Sequence, residues 1–163
     1  MKNYIRGKIM FKDCIAFLTG GSSFLGRDIA IRLAQYGAHV IFTYNSNEEK
    51  AQEVLAMITA SGGSGEIVKL DLLSEKSIIE VFDSLMGKYN KLDFLINNAG
   101  IGTPVPTQSL SLSDWEKHMF LNLTAPFLCI KNAIEMLKKS QHGKIVNISS
   151  VAALTGGSFG PHY

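Results

Sequence analysis

The sequence has few of the residues that mark a disulfide-bonded, metal-binding or membrane-spanning protein. Cys14 and Cys129 are the only cysteines among its 163 residues, and both have apolar neighbours. We therefore expect two buried thiols in a reducing cytoplasm, with neither a disulfide nor a metal site. No run of 18 apolar residues occurs, and the basic first residues lack the apolar core of a signal peptide, so we expect no membrane-spanning segment.

The sequence also has no large excess of positive or negative charge. Sixteen basic and 14 acidic residues give a net charge of +2, and no long run of either sign occurs. Nucleic acid and anionic membranes are therefore not expected as partners. Apolar residues make up 46% of the chain and charged residues 18%, which is typical of a globular domain with a sizeable core. With only four prolines against 15 glycines, we expect tight turns rather than linkers.

Short apolar runs that alternate with helical patterns are present along the whole chain. The runs predict β-strands at residues 14–18, 39–43, 66–70, 92–96 and 144–148. Because helices separate them, the sequence predicts an α/β protein of the Rossmann type. Its doubly wound parallel sheet would have helices on both faces, in a single domain at residues 1–163.

The helices between these strands have recognisable starts. Capping boxes at 46–49 and 113–116 predict the starts of the second helix and of a long fourth helix, and Ser74 is a predicted cap for the third. Pro126 lies inside the long helical pattern, so we expect a kink there.

A glycine-rich turn, TGGSSFLG, joins the first strand to the first helix. In such a position a pyrophosphate can meet the N-terminus of a helix. Gly20 and Gly21 allow close backbone approach, Gly26 lets the helix pack tightly, and Ser22 and Ser23 offer hydroxyl donors to phosphate. The turn alone leaves open a merely tight strand–helix connection.

This turn and the motifs after the later strands resemble the short-chain dehydrogenase/reductase family from about Lys12 to Tyr163. The turn matches the family signature Thr-Gly-x-x-x-Gly-x-Gly, except that Phe24 replaces the middle glycine. We expect its ring to point away from the turn or to reshape it. Asn-Asn-Ala-Gly at 97–100 matches a second, highly specific motif beside the cofactor.

The resemblance implies a nicotinamide dinucleotide and a set of residues that bind it. These residues are Thr19, Gly20, Ser22, Ser23, Leu25, Gly26, Tyr44, Asp71, Leu72, Asn98, Ala99 and Gly100. Asp71 matches the carboxylate that holds the adenine amino group. By itself Asp71 is also explained as a cap for the helix that begins near Ser74.

Ser150, Tyr163 and Asn122 match the family's catalytic residues, and Ser150 lies thirteen residues before Tyr163, the usual separation. Tyr163 would exchange a proton with the substrate oxygen, Ser150 would hydrogen-bond that oxygen, and Asn122 would hold a relay water. Taken singly, each has an ordinary explanation as a surface, strand-end or terminal polar residue. We do not expect His162 to act as an acid or base, because the family chemistry does not use this position.

The sequence ends at the tyrosine of the family motif Tyr-x-x-x-Lys. That lysine binds the nicotinamide ribose and lowers the pKa of the tyrosine, so we expect residues 1–163 by themselves to be inactive. The resemblance implies that the domain is incomplete at its C-terminus and lacks its last strands. The fifth strand would then be an apolar sheet edge.

Tyr44 stands where NAD-preferring relatives carry an acidic residue that binds the adenosine ribose. Without a carboxylate to repel a 2′-phosphate, the resemblance favours NADP, with NAD as the alternative. Ser23 stands where many NADP enzymes place an arginine, so the support is incomplete.

The segment 43–51 is similar to 3-oxoacyl-acyl-carrier-protein reductases, which implies a small-molecule or carrier-bound carbonyl substrate and a homodimeric or homotetrameric enzyme. A steroid, sugar or other alcohol dehydrogenase is the alternative substrate class. A different class of function is a catalytically inactive nucleotide-binding sensor or scaffold, which Phe24 and the missing lysine favour.

Overall fold

The computed structural model describes residues 10–157 and 159–163. Its five strands are β1 (Ile15–Leu18), β2 (His39–Tyr44), β3 (Ser64–Lys69), β4 (Phe94–Asn97) and β5 (Lys144–Asn147). All adjacent pairs are parallel, in the order β3-β2-β1-β4-β5. The order reverses between β1 and β4, which confirms the doubly wound Rossmann-type fold.

The helices are α1 (Phe24–Gln35), α2 (Glu48–Ala60), α3 (Glu75–Lys88), α4 (Leu112–Met119), α5 (Ala125–Lys138) and the short α6 (Ala152–Thr155). A 3₁₀ turn spans Thr107–Ser109, and a π-helical turn, Phe120–Thr124, joins α4 to α5. In the described residues no helix is long and apolar enough to cross a membrane.

Alternate residues of the strands build two separate apolar layers, one on each face of the sheet. Phe17 packs on Phe82 of α3, with ring centroids 5.0 Å apart, in the layer that also contains the inner face of α5. Phe42 lies in the opposite layer, against α1 and α2. Each fully buried side chain of this size contributes about 1.5–3 kcal/mol. The predicted burial of Cys14 and Cys129 is confirmed, and burial raises the pKa of Cys129 to about 12.

The sheet is far less covered at β5 than at its centre. Ile145 and Val146 are 39% and 44% exposed, whereas Ile41 on β2 is fully buried. The structure thus agrees with the expectation that the fifth strand forms an apolar edge.

Both predicted capping boxes are displaced. Asn47 caps α2 by accepting a hydrogen bond from the Lys50 N–H, and Ser111 caps α4 through the Asp114 N–H. Ser46, the predicted cap of α2, lies one residue before the observed cap. Ser113, the predicted cap of α4, lies two residues after the observed cap. Ser74 caps α3 as predicted, through the Ser77 N–H.

Pro126 does not kink one long helix as predicted. Instead it lies in the first turn of α5, directly after the π-helical turn. Proline has no N–H to donate to the carbonyl of Asn122, four residues earlier. The helix accommodates this loss by widening, and such π-helical turns often occur at functional sites.

Candidate functional site

The carboxyl ends of the strands carry the glycine-rich turn, and β2 holds it in place. Thr43 accepts a hydrogen bond from the Gly20 N–H through its hydroxyl (3.1 Å) and one from the Gly21 N–H through its carbonyl (3.0 Å). Gly20 has a φ of +66°, which favours glycine. A Cβ on Gly21 would lie 2.5 Å from the Cβ of Phe42. The turn therefore lies tightly against the end of β2.

Gly26 has a different role from the predicted one. A Cβ at this position would overlap the carbonyl oxygen of Gly20 and lie 2.8 Å from the Asn98 amide nitrogen. Gly26 thus allows the turn to fold back against its own helix and against Asn98, rather than bringing α1 closer to the sheet.

The first turn of α1 presents backbone N–H groups to the end of the sheet. Ser23 caps the helix, and its hydroxyl accepts from the Gly26 N–H at 3.2 Å. The N–H groups of Phe24 and Leu25, in the first helical turn, have no intrahelical partner. The Phe24 ring is 82% exposed and lies 5.6 Å from the Arg27 guanidinium. The ring therefore points into solvent and away from the turn, which is one of the two outcomes expected from the sequence.

Asn98 joins the glycine-rich turn to the end of β4. Its side-chain amide donates to the carbonyls of Thr19 (2.9 Å) and Gly20 (3.2 Å). In return, the Thr19 hydroxyl accepts from the N–H groups of Asn98 and Ala99, each at 3.0 Å. Thr19 is only 2% exposed. It therefore supports the backbone of Asn98 and Ala99 from the protein interior and does not form the surface of the site.

A cavity of about 530 Å³, here called the turn cavity, opens beside this turn. Nine residues predicted to bind cofactor line it: Gly20, Ser22, Ser23, Tyr44, Asp71, Leu72, Asn98, Ala99 and Gly100. Thr19, Leu25 and Gly26 are not among the lining residues. Lys50 and Lys117 also line the cavity and were missed by sequence reasoning. Lys50 had a weak signal, since it follows the second strand closely, whereas Lys117 had none.

Asp71 lies in this cavity as an exposed carboxylate, and it is not a helix cap. Its Oδ1 accepts from the Leu73 N–H at 3.0 Å, while Ser74 caps α3. The ordinary explanation of Asp71 as a cap is therefore wrong.

The structure also corrects the electrostatic surroundings of Tyr44. Burial raises its pKa, and the neighbouring Glu48 carboxylate raises it further. An acidic group thus lies beside the end of β2 although none occupies the strand position itself. Glu48 is not among the residues that line the turn cavity, whereas Lys50 is.

A second cavity of about 580 Å³, the tyrosine cavity, lies beside the turn cavity, and the two share a wall formed by residues 98–101. It brings together all three predicted catalytic residues, Asn122, Ser150 and Tyr163. Residues 98–101 line both cavities. The two cavities are therefore adjacent along the carboxyl ends of the strands, at the point where the sheet order reverses.

Asn122 projects from the π-helical turn and clamps the segment after β4. Its Oδ1 accepts from the Ile101 N–H and its Nδ2 donates to the Ile101 carbonyl, both at 2.9 Å. The side-chain amide is therefore engaged with the protein. Pro126 has no N–H to donate to the Asn122 backbone carbonyl.

Ser150 and Tyr163 approach the cavity from the segments after β5. The Ser150 hydroxyl accepts from the Ala152 N–H at 3.2 Å, so its own proton is free to be donated. The Tyr163 ring lies against Gly102, where a Cβ would come within 2.8 Å of it, and 4.6 Å from the Phe159 ring centroid. The tyrosine is 43% exposed.

The chain is also similar to known proteins. The family model for the short chain dehydrogenase matches residues 14–163. A 3β-hydroxysteroid dehydrogenase of Mediterraneibacter gnavus is 36% identical over 154 residues, which is 94% of this chain and 54% of the relative. A 3-oxoacyl-[acyl-carrier-protein] reductase of Synechocystis is 33% identical over 142 residues, 87% of this chain and 58% of the relative. The chain thus spans little more than half the length of these relatives.

Solved structures show the same likeness. A metagenomic short-chain oxidoreductase in complex with NADP superimposes with a TM-score of 0.87 at 30% identity, covering 94% of this chain and 69% of that one. A short chain dehydrogenase from Shigella flexneri gives 0.88 at 29% identity, covering 96% and 63%.

Proposed function

The chain belongs to the short-chain dehydrogenase family, and from this premise we propose that it binds NADP and serves hydride transfer between the nicotinamide and a carbonyl or secondary alcohol. The observation that carries the proposal is the shared wall at residues 98–101. It separates a cavity suited to a nucleotide from one that contains Asn122, Ser150 and Tyr163. A dinucleotide that extends along this wall would reach from one cavity to the other.

The residues present fit a dinucleotide. The N-terminus of α1, with the first-turn N–H groups of Phe24 and Leu25, suits a pyrophosphate. The exposed Asp71 carboxylate suits an adenine amino group, and Ser22 and Ser23 offer hydroxyls at the turn. The absence of side chains at Gly20 and Gly21 lets the turn pack closely against Ala99 and Phe42.

NADP is favoured over NAD by the balance of charge at the end of β2. Tyr44 has no carboxylate, and Lys50, in the first turn of α2, lines the cavity. Glu48 acts against this preference because its negative charge lies near Tyr44. The positive charge of Lys50 should have the larger effect on a 2′-phosphate, because Lys50 lines the cavity and Glu48 does not.

The bound nicotinamide would supply the hydride. Tyr163 would exchange the proton with the substrate oxygen, and the Ser150 hydroxyl, already accepting from Ala152, would donate to that oxygen and stabilise developing negative charge. Asn122 would hold the relay water at its backbone carbonyl, because its amide is committed to Ile101.

The names of the relatives support a substrate class. One of the relatives is named as a steroid dehydrogenase, and two others are named as 3-oxoacyl-[acyl-carrier-protein] reductases. With the resemblance at 43–51, we favour a carbonyl on a small molecule or on acyl-carrier protein, reduced in the cytoplasm by a homodimer or homotetramer.

The cofactor proposal is tested with the adenosine half alone, because all residues assigned to it lie in this chain. Titration of residues 1–163 with 2′-phospho-ADP-ribose and with ADP-ribose should show at least tenfold tighter binding of the first, about 1.4 kcal/mol. Lys50→Gln should remove most of this difference, while Lys131→Gln, an exposed lysine on α5, should leave it unchanged. Equal or tighter binding of ADP-ribose would overturn the NADP preference.

The catalytic proposal is tested in two steps. Residues 1–163 alone should show no NADPH-dependent ketone reduction, because they do not include the lysine of the family motif Tyr-x-x-x-Lys. A chimera with the remaining C-terminal residues of the Synechocystis reductase should turn over, and Tyr163→Phe in that chimera should abolish activity with the fold intact. Robust reduction by residues 1–163 would point to another catalytic arrangement. ADP-ribose binding with an inactive, folded chimera would favour the sensor or scaffold function.

A further inference from the structure

Two buried histidines pack against each other directly behind Tyr163. His118 on α4 is 3% exposed and His162 is fully buried. Their rings meet edge to face, with centroids 4.3 Å apart and planes at 85°. The contact joins α4 to the segment that carries Tyr163, although the two are far apart in sequence.

Hydrogen bonds to backbone carbonyls fix a different tautomer for each ring. His118 bonds the Asp114 carbonyl through Nδ1 at 2.7 Å, and His162 bonds the Thr103 carbonyl through Nε2 at 3.0 Å. Since a carbonyl only accepts, the proton lies on Nδ1 of His118 and on Nε2 of His162. The geometry therefore predicts opposite tautomers in the two rings.

This arrangement is costly as plain core packing. Within the described part of the chain, neither His118 Nε2 nor His162 Nδ1 has a hydrogen-bond partner. Two apolar side chains of similar size would fill the space without these unpaired nitrogens. The pair therefore provides directional bonds at some expense in stability.

The His162 bond connects the segment of Tyr163 to the residues that follow β4, whereas the His118 bond stays within α4 and fixes the orientation of its ring. The Val105 N–H donates to the Phe159 carbonyl at 3.0 Å, and the Tyr163 N–H closes a turn onto Gly160. With the His162 bond to Thr103, these contacts hold residues 159–163 against residues 102–105.

Asn122 clamps Ile101, the residue directly before the stretch 102–105. His118 lies one helical turn before Asn122, so the two side chains act on this segment from neighbouring turns. Tyr163 and Asn122 are thus held through one short stretch of backbone.

We propose that His118 and His162 are positioning residues that set the Tyr163 ring relative to Asn122 and Ser150, through the Thr103 carbonyl. The proposal rests on the proposed function only in treating Tyr163 as the proton donor. Its structural content is independent of any cofactor.

The first test reads the tautomers in the unaltered 163-residue chain. Long-range ¹H–¹⁵N correlation spectra of the histidine side chains at neutral pH should show an Nδ1–H tautomer for His118 and an Nε2–H tautomer for His162. The exposed His142 serves as the internal control and should show the averaged pattern of a free imidazole. The same tautomer in both buried rings would overturn the proposal.

The second test exploits the different reach of two amides. Glutamine places its nitrogen where histidine has Nε2, whereas asparagine places it where histidine has Nδ1. At 162, Gln should therefore preserve the Tyr163 ring resonances of the ¹³C-tyrosine-labelled chain, and Asn should shift them towards values for a free tyrosine. At 118 the order should reverse, with Asn preserving and Gln shifting them.

Tyr163→Phe assigns the resonance, and His142→Gln is the matched control that should move nothing. The signals of Tyr36 and Tyr89 report whether a variant is folded. Unchanged Tyr163 resonances in His162→Asn, or equal effects of the two amides at both positions, would overturn the proposal. If a variant fails to fold, the tautomers of His118 and His162 in the unaltered chain still test the proposal. Loss of ADP-ribose binding would instead count against the proposed function alone.

Discussion

The two ends of the parallel sheet use polar residues in opposite ways. At the amino end, the buried Asp93 carboxylate accepts from the Ile15 N–H at 2.7 Å and is bonded by Lys91 and Ser140. At the carboxyl end, the side chains of Asn98 and Thr19 each form a hydrogen bond with the backbone of the other residue. Residues 98–101 beside them line two cavities.

The difference separates stability from binding. The amino end satisfies its polar groups internally, so changes there should reduce the free energy of unfolding. The carboxyl end bonds its polar groups just enough to hold the turn, and leaves first-turn N–H groups and the Asp71 carboxylate for a ligand. Changes at this end should reduce ligand affinity more than stability.

The largest expected effect is that of Asp93→Ala. It removes a fully buried acceptor from Ile15, Lys91 and Ser140, which should lower the free energy of unfolding by about 3 kcal/mol in a urea titration. Asp83→Ala, at an exposed position on α3, is the control and should change it little. A loss as small as that of the control would show that the amino end does not stabilise the sheet as described.

The same carboxylate predicts loss of stability in acid. Burial alone would raise the pKa of Asp93, but hydrogen bonds from Ser140 and the Ile15 N–H, with the Lys91 charge, outweigh it and lower the pKa below 3.8. Its stabilisation is therefore present above the unfolded-state pKa and is lost as the pH falls through the lower folded-state pKa. Asp93→Ala should remove this part of the acid dependence.

Asn98→Ala should have the next largest effect, and on binding rather than on folding. Without the bonds to Thr19 and Gly20, the glycine-rich turn loses its attachment to β4, and affinity for 2′-phospho-ADP-ribose should fall about tenfold, or 1.4 kcal/mol. Calorimetric titration measures this, with Asn90→Ala at an exposed position as the control. If stability fell as much as for Asp93→Ala while affinity held, the proposed separation of the two ends would be wrong.

A smaller effect concerns pH at the amino end. His39 bonds Ser64 and Tyr89, and burial lowers its pKa below 6.5. The unfolded chain therefore binds a proton first as the pH falls below 6.5, and stability declines towards the folded-state pKa. His39→Gln should flatten this decline in urea titrations at several pH values, whereas His142→Gln should not.

The smallest effect is expected for Phe24→Ala. Because the ring is 82% exposed, unfolding free energy should change by less than about 0.5 kcal/mol, and 2′-phospho-ADP-ribose affinity should stay level. A clear gain in affinity would show that the ring crowds the turn after all.

The order of strands and helices, the glycine-rich turn and the three catalytic candidates could all be predicted from sequence. Apolar runs of strand length and helical periodicity are local patterns, and parallel strands bring their carboxyl ends to one edge of the sheet. The family resemblance, and not these patterns, implied that Asn122, Ser150 and Tyr163 belong to one site, and they line one cavity. Helix starts were less predictable, since Asn47 and Ser111 compete with neighbouring residues that are equally good caps.

The tertiary structure alone decided which neighbours these residues have. It buried Thr19 behind residues 98 and 99, and it paired His118 with His162. Each of these contacts depends on how one element is rotated and packed against another that is distant in sequence. Local patterns contain no such information, because the same periodicity is compatible with several rotations of a helix on a sheet.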